Sequence, residues 1–172
     1  MRRINLDLND PAQRERVKAT WRRAVGFIPG EANQGWTAEI EGSPCRLADF
    51  DDSSWEVCDN IADVLSSGTS WAWWRTTIEV PDAIDGVPVD GGTLYFETTV
   101  DDYGEVWVNG ECNLATGAVA GWNRPQRIEL GRGIQPGSRF TIAVLGCNGP
   151  FAKPLGGVFM RYAILGLEIF NR

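Results

Sequence analysis

Three acidic side chains that lie close together in the sequence, Asp101, Asp102 and Glu105, are the best candidates for acid–base chemistry. Paired carboxylates can act as general acid and base, or they can accept hydrogen bonds from sugar hydroxyls. Adjacent residues in an extended bend point in different directions, however, so a shared catalytic role for Asp101 and Asp102 is geometrically awkward. With Tyr103 they are candidates for ligand contact, and the structural alternative is turn formation or capping.

Other catalytic groups are limited by composition. The chain contains no histidine, which excludes Ser-His-Asp and Cys-His arrangements and every histidine-ligated metal centre. The four cysteines, Cys45, Cys58, Cys112 and Cys147, are widely spaced and form no Cys-x-x-Cys pair. Neither a zinc site nor a redox motif is therefore indicated, and we expect these cysteines to be small buried apolar residues. No catalytic residue is assigned.

A stronger candidate for ligand binding is the segment Trp122, Asn123 and Arg124. It combines an aromatic platform, an amide that both donates and accepts hydrogen bonds, and a guanidinium fork, which is the set of groups that a sugar or an organic acid needs. A plain structural loop is the alternative for these three residues, and the sequence does not separate the two.

Eight tryptophans are many for a chain of this length, and most should be core residues because an indole buries a large apolar area. Trp107, in the sequence Val-Trp-Val, is predicted to fill the core. Because side chains alternate along a strand, Trp71 and Trp73 should share one face and Trp74 the other. One face would then enter the core while the other exposes aromatic surface, and Trp74 is included among the ligand candidates.

Length, charge and hydropathy set the class of protein. With 172 residues, a single domain spanning 1–172 is expected. The net charge of −7, with basic residues that do not gather except near the N-terminus, argues against nucleic-acid binding. No apolar run approaches the roughly 20 residues of a membrane-spanning helix, and no secretory signal is visible at the start. We therefore expect a soluble cytoplasmic protein that does not bind membranes.

The elements that must position these residues are mostly strands. Asn9-Asp10-Pro11 marks a helix start and Gly26 a stop, so one amphipathic helix is predicted over 10–25 with a basic outer face. Long loops with two short strands, at 36–41 and 55–58, should follow, and Asn-Gly turns are predicted at 109–110 and 148–149. The later chain shows a period of two with β-branched and aromatic residues, predicting strands at 73–80, 93–99, 105–109, 126–130, 139–146 and 158–170. With no helix signal between them, these strands indicate an all-β antiparallel sandwich over about 36–170.

Four segments, in order, resemble the sugar-binding N-terminal domain of the family-two glycoside hydrolases. They are DFDDSSW at 49–55, WWRTTIEVP at 73–81, TLYFETTVDDYGEVWVNG at 93–110, and the region 121–137 beginning GWNRP. The resemblance implies a galactose-binding-like jelly-roll sandwich. It does not imply glycosidase activity, because the catalytic carboxylates of that family lie on a separate barrel domain. A weaker likeness connects the chain to domains that accompany gluconolactonase-like proteins.

Jelly-roll domains of this kind often carry a structural calcium ion, so the resemblance also implies a calcium site. The carboxylates proposed for it are Asp49, Asp51 and Asp52 in one loop and Glu168 from the last strand. A solvated acidic turn is the alternative for the three loop residues.

Three functions are consistent with these features. The first is a non-catalytic carbohydrate- or polyol-binding accessory domain, working beside a carbohydrate-active enzyme and contacting a sugar or sugar acid. The second is a small histidine-free hydrolase, lyase or isomerase that acts on a sugar or sugar acid through carboxylates. The third is a structural subunit that forms a homodimer through its tryptophan-rich face. The first is favoured over the second, because no nucleophile–base pair is recognisable, whereas the sequence hardly separates the first from the third.

Overall fold

Two antiparallel β-sheets form the fold of this chain in a computed structural model. The structure describes residues 1–26, 43–65, 68, 70–100, 102–149 and 156–170. One short helix, α1 (Pro11–Glu15), and two 3₁₀ turns, Pro44–Arg46 and Leu114–Thr116, accompany the strands. The strands are β1 (Arg2–Asp7), β2 (Arg22–Gly26), β3 (Glu56–Val57), β4 (Ser70–Glu79), β5 (Ala83–Ile84), β6 (Val87–Pro88), β7 (Thr93–Val100), β8 (Tyr103–Val108), β9 (Val119–Ala120), β10 (Gln126–Arg132), β11 (Arg139–Asn148) and β12 (Met160–Ile169).

The strand order defines the sandwich. One sheet has four strands in the order β1-β12-β7-β10, and the other has six in the order β3-β2-β4-β11-β8-β9, while β5 and β6 form a small separate hairpin. Many neighbouring strands come from distant parts of the chain, as β4 and β11 do, and the paired strands are antiparallel. The predicted all-β antiparallel sandwich is confirmed.

The main core lies between the two sheets. Phe96 and Leu165 from the four-stranded sheet and Trp74, Val106 and Val144 from the six-stranded sheet are among its buried members. Each belongs to a strand in which inward apolar side chains alternate with outward ones. The sandwich is therefore held by the period-two pattern that identified its strands.

A second apolar cluster covers the outer face of the six-stranded sheet. Trp73 and Leu145 are buried there, and Trp71 and Trp107 pack partly buried against them. Residues 43–55 lie over this face, and the side chains of Cys45, Phe50 and Trp55 pack against the cluster and cover it. Trp71 and Trp73 do share a face opposite to Trp74, as predicted, but the expected exposed aromatic surface is wrong because both faces are packed.

The predicted helix over 10–25 is wrong in its extent. Asp10 caps α1, accepting a hydrogen bond from the Ala12 amide, but the helix ends at Glu15 and Lys18 adopts a left-handed φ of 53°. The chain then forms β2, which pairs along β4, and the buried Trp21 indole donates to the Leu8 carbonyl oxygen at 3.1 Å. Long-range strand pairing and burial of Trp21 thus override the local helical spacing.

The basic side chains of this region are paired within the molecule. Arg16 bonds Asp85 at 2.7 Å and Lys18 bonds Glu79 at 2.5 Å. Arg23 holds the Glu56 carboxylate at 2.9 Å. The expected basic helix face is therefore a set of intramolecular ion pairs made from the turn after α1 and from β2.

Two turn predictions have opposite outcomes. Asn109 and Gly110 have φ values of 50° and 86°, which confirms the first Asn-Gly turn. The second is wrong, because Asn148 is the last residue of β11 and its side-chain amide donates to the Gly68 carbonyl oxygen at 2.5 Å.

Several further expectations are resolved by the strands and the burial. The strand predicted at 55–58 is β3, whereas the segment predicted at 36–41 lies outside the described residues. Strand β1 was not predicted, although Ile4 and Leu6 follow a period of two.

Cys45, Cys58 and Cys147 are buried as expected, while Cys112 is half-buried. No helix in the described part of the chain is long and apolar enough to cross a membrane.

Candidate functional site

The turn between β9 and β10, residues 121–125, presents the most exposed aromatic side chain among the residues that the structure describes. We call it the Trp122 turn. Trp122 is 67% exposed, and the other tryptophans that the structure describes are buried or half-buried. The turn closes with a hydrogen bond from the Arg124 amide to the Gly121 carbonyl oxygen at 3.2 Å, and Asn123 adopts a φ of 52°. An indole in this position faces solvent rather than the core.

Arg124 adds an uncommitted positive charge to the Trp122 turn. Its side chain is exposed and has no ion-pair partner among the described residues. Arg127, three residues further on, instead bonds Glu97 at 2.8 Å and Glu168 at 2.6 Å. The Arg124 guanidinium is thus available for an external acceptor.

Gln126 closes the base of the Trp122 turn, a role that sequence analysis missed. Its side chain is 1% exposed, and Nε2 donates to the carbonyl oxygens of Ala118 at 2.8 Å and Gly104 at 3.1 Å. The Gln126 side chain, at the start of β10, is therefore bonded both to β8 and to the residue that precedes β9, so it holds the two ends of the turn together. The signal was present, because Gln126 occupies an inward position in β10 together with Ile128 and Leu130, where an unpaired polar group would be costly.

Asp102 lies beside the Trp122 turn. It adopts a φ of 55°, and its Oδ2 accepts a hydrogen bond from the Gly149 amide at 2.5 Å. A Cβ placed on Gly121 would lie 4.0 Å from the Asp102 carbonyl oxygen, so the turn and the start of β8 are neighbours. The carboxylate thus connects the start of β8 to the end of β11. Asp101 lies outside the described residues.

Tyr103, Glu105 and Trp107 form a hydrogen-bonded ladder along the outer face of β8. Tyr103 Oη donates to Glu105 Oε1 at 2.7 Å, and Trp107 Nε1 donates to Glu105 Oε2 at 2.9 Å. Burial, and then the bond to Glu105, raise the pKa of the Tyr103 phenol, so it stays protonated and acts as a donor. Glu105 is thus a fixed hydrogen-bond acceptor.

Two tryptophan predictions need correction. Trp74, proposed as a ligand contact, has no solvent exposure and lies in the core between the sheets. Trp107, predicted to fill that core, lies on the opposite face, and Val106 takes the inward position. Side chains alternate along β8 as predicted, but the inward and outward positions are the reverse of those expected.

The four proposed calcium ligands do not form one site. Asp52 bonds Arg75 Nε at 2.9 Å beside the six-stranded sheet, whereas Glu168 bonds Arg127 on the four-stranded sheet. Asp51 accepts a hydrogen bond from the Ser53 amide at 2.9 Å, and Asp49 is exposed. Across the described ranges, no group of three or more acidic or cysteine side chains is arranged to hold a metal ion. The residues present therefore do not fit the implied calcium.

Comparisons with known proteins place the fold. No family model matches the chain, and no curated protein matches it. Among solved structures, β-glucuronidase 2 of Bacteroides uniformis superposes with a TM-score of 0.61 at 14% identity, over 96% of this chain and 18% of that one. A β-glucuronidase of Faecalibacterium prausnitzii gives 0.57 at 15% identity, over 96% and 31% of the two chains. A glycosyl hydrolase family 2 member from Bacteroides cellulosilyticus gives 0.56 at 17% identity, over 95% and 20%.

This chain therefore spans about a fifth to a third of the length of these glycoside hydrolases. Identities of this size show the fold alone. The jelly-roll sandwich is confirmed as the fold that this chain shares with part of each of these enzymes. It was expected from the motifs at 49–55, 73–81, 93–110 and 121–137. The likeness to gluconolactonase-associated domains stays a prediction.

Proposed function

We propose that this chain is a non-catalytic carbohydrate- or polyol-binding domain whose contact surface is the Trp122 turn with the adjoining Asp102 and Tyr103. The observation that carries the proposal is the 67% exposure of Trp122 in a turn that also presents Asn123 and Arg124, which has no ion-pair partner among the described residues. An exposed indole contributes little to folding, because its apolar area stays in water.

The three side chains have complementary chemistry for a sugar. The flat indole offers an apolar surface to the C–H face of a pyranose ring. The Asn123 amide both donates and accepts, and the Arg124 fork donates to paired oxygens. Gln126 holds the turn at its base, so part of the conformational entropy of the turn is lost when the chain folds and not when a ligand binds.

The accessory role rests on the comparisons. The similar solved structures belong to glycoside hydrolases, and this chain spans only part of each. We infer that the domain works beside a carbohydrate-active enzyme. Dimerisation through the tryptophan-rich face is disfavoured, because residues 43–55 pack over that face.

The test compares binding with stability in the same variants. A glycan array of neutral and acidic sugars, followed by calorimetry with the best-bound sugar, should show that Trp122→Ala and Arg124→Ala each weaken binding about tenfold or more. Both side chains are exposed, so the melting temperature should change by less than about 2 °C.

Two variants serve as matched controls. Phe170→Ala removes another exposed aromatic side chain, and Arg139→Ala another exposed guanidinium, and both residues lie at the end of the sandwich opposite the Trp122 turn. Neither should change affinity. A Trp122→Ala protein that loses stability but binds as the parent does would overturn the proposal, as would an array without any binding.

A further inference from the structure

The outer face of β8 next to the Trp122 turn carries a carboxylate with unused acceptor capacity. Glu105 is half-buried between Tyr103 and Trp107, and each of its two oxygens accepts one hydrogen bond from these neighbours. A carboxylate offers about four lone-pair positions, two on each oxygen. No other described residue donates to Glu105, so the ladder fixes the plane of the carboxylate and leaves about one acceptor position on each oxygen.

Such a carboxylate matches a pair of neighbouring hydroxyl groups. Two hydroxyls on adjacent ring carbons can each donate to one oxygen of the same carboxylate, and bonds to a charged acceptor are stronger than neutral ones. The partly exposed Tyr103 side chain provides apolar surface for the C–H groups of the same ring, while the Trp107 ring packs against the outer-face cluster and has the Arg46 guanidinium 5.7 Å from its centre. A vicinal diol of a sugar is the chemistry that this arrangement accepts.

The carboxylate is within reach of an extended ligand bound at the Trp122 turn. Ala120 lies opposite Gly104 and Val119 opposite Glu105 in the β8–β9 pair, so β9 leads directly from the ladder into the turn. Strand β9 pairs with β8 at Gly104 and Glu105, and Trp107 has no partner in β9. From Tyr103 to Trp107 the strand extends about 13 Å, longer than one sugar ring.

We propose that the ligand is an oligosaccharide whose first ring stacks on Trp122 and whose next ring donates a vicinal pair of hydroxyls to Glu105. This inference rests on the proposed function of the Trp122 turn and assigns its ligand class. The Tyr103 phenol and the Trp107 indole act as positioning groups that hold the carboxylate.

The experiment measures affinity for matched ligands of increasing length. Glucose and its β-1,4-linked di- to tetrasaccharides, together with the corresponding galactose series, are titrated by calorimetry against the parent protein. Binding should tighten by about tenfold or more from the monosaccharide to the disaccharide or trisaccharide of the preferred series. Glu105→Gln should remove this gain, so that the longer sugars bind no more tightly than the monosaccharide does, whereas Trp122→Ala should weaken binding of every length.

Two further variants keep the test decisive. Val119→Lys places an ammonium group opposite Glu105 on a partly exposed edge strand, where it should occupy the carboxylate and remove the gain even if Glu105→Gln does not fold. Glu129→Gln changes the charge equally on the other sheet and should have no effect.

The possible outcomes separate the two proposals. Equal affinity for all lengths, or a gain that survives both Glu105→Gln and Val119→Lys, overturns the role of Glu105 while the Trp122 site stands. Absence of binding to every sugar in both series and on the glycan array overturns the proposed function, and with it this inference.

Discussion

Arg75 joins two segments that sequence analysis recognised separately. Its side chain is 2% exposed and bonds Asp52 at 2.9 Å, the Leu47 carbonyl oxygen at 3.0 Å and the Phe50 carbonyl oxygen at 3.3 Å, in addition to the Cys45 carbonyl oxygen. The guanidinium also lies 5.3 Å from the centre of the Phe50 ring. One buried arginine in β4 thus fastens residues 43–55 over the outer face of the six-stranded sheet.

Replacing Arg75 should destabilise the whole domain. Arg75→Met keeps an unbranched apolar stem but removes the guanidinium that donates to the Asp52 carboxylate and to three carbonyl oxygens. We expect a loss of about 3–5 kcal/mol in the free energy of unfolding, measured by urea denaturation. Arg132→Met, which removes an exposed arginine paired with Glu129, should cost less than about 1 kcal/mol. Equal stability of the two variants would contradict the fastening role.

At the scale of elements, the turn after β8 shows why certain residues are needed at fixed positions. Asn109 and Gly110 both have positive φ, and Asn109 Oδ1 accepts a hydrogen bond from the Thr141 amide at 2.9 Å. Asparagine therefore serves twice, since it tolerates the left-handed region and also connects the turn to β11. The turn fixes the register of the strand that carries Tyr103, Glu105 and Trp107.

Substitutions of Asn109 can separate these two contributions. Asn109→Gly keeps the left-handed conformation and loses only the hydrogen bond, whereas Asn109→Ala loses the bond and also strains the backbone. We expect the alanine variant to be less stable than the glycine variant by about 1 kcal/mol in thermal or urea unfolding. If alanine is as stable as glycine here, the φ of Asn109 is not a constraint on the fold.

Across the whole molecule, acidic side chains are stabilised by donors around the sandwich. Hydrogen bonds from Gln13 and the Ala12 amide lower the pKa of Asp10, and the Ser53 amide lowers that of Asp51. Side-chain hydrogen bonds from Arg23 and Lys18 lower the pKa values of Glu56 and Glu79. In each case the donor favours the charged carboxylate.

These pKa values predict acid sensitivity of the fold. A carboxyl group whose pKa is lower in the folded than in the unfolded state contributes stability that is present above the unfolded pKa and lost as the pH falls through the folded pKa. The ordinary values are 3.8 for aspartate and 4.5 for glutamate. The melting temperature should therefore be steady down to about pH 5 and fall below about pH 4.

A double variant tests the origin of the acid sensitivity. Glu56→Gln with Glu79→Gln should melt lower than the parent at pH 7 and lose less on acidification, as followed by calorimetric melting at pH 3 and pH 7. A parent protein with the same melting temperature at both pH values would exclude this contribution.

The motifs at 49–55 and 73–81 predicted the fold without showing what joins them. Period-two alternation and the Asn109-Gly110 turn are local properties, and local properties are readable along the chain. The bond between Asp52 and Arg75 joins residues 23 positions apart, and no spacing rule indicates it. The candidate site divides in the same way. Trp122, Asn123, Arg124, Tyr103 and Glu105 were named by residue type, whereas the role of Gln126 and the hydrogen bonds that join Tyr103 and Trp107 to Glu105 came only from the structure.

By itself the sequence indicated the strands β4, β7, β8, β10, β11 and β12, though not β1 or β2, and it indicated which residue types could meet a sugar. Backbone preference and side-chain chemistry belong to single residues and their near neighbours, so they can be read along the chain. Only the tertiary structure decided which faces are buried. It placed Trp74 in the core, covered Trp71 and Trp73 with residues 43–55, shortened the helix after Glu15 and left Trp122 in solvent. Those outcomes depend on contacts between strands that are distant in sequence, whose burial outweighs local propensity.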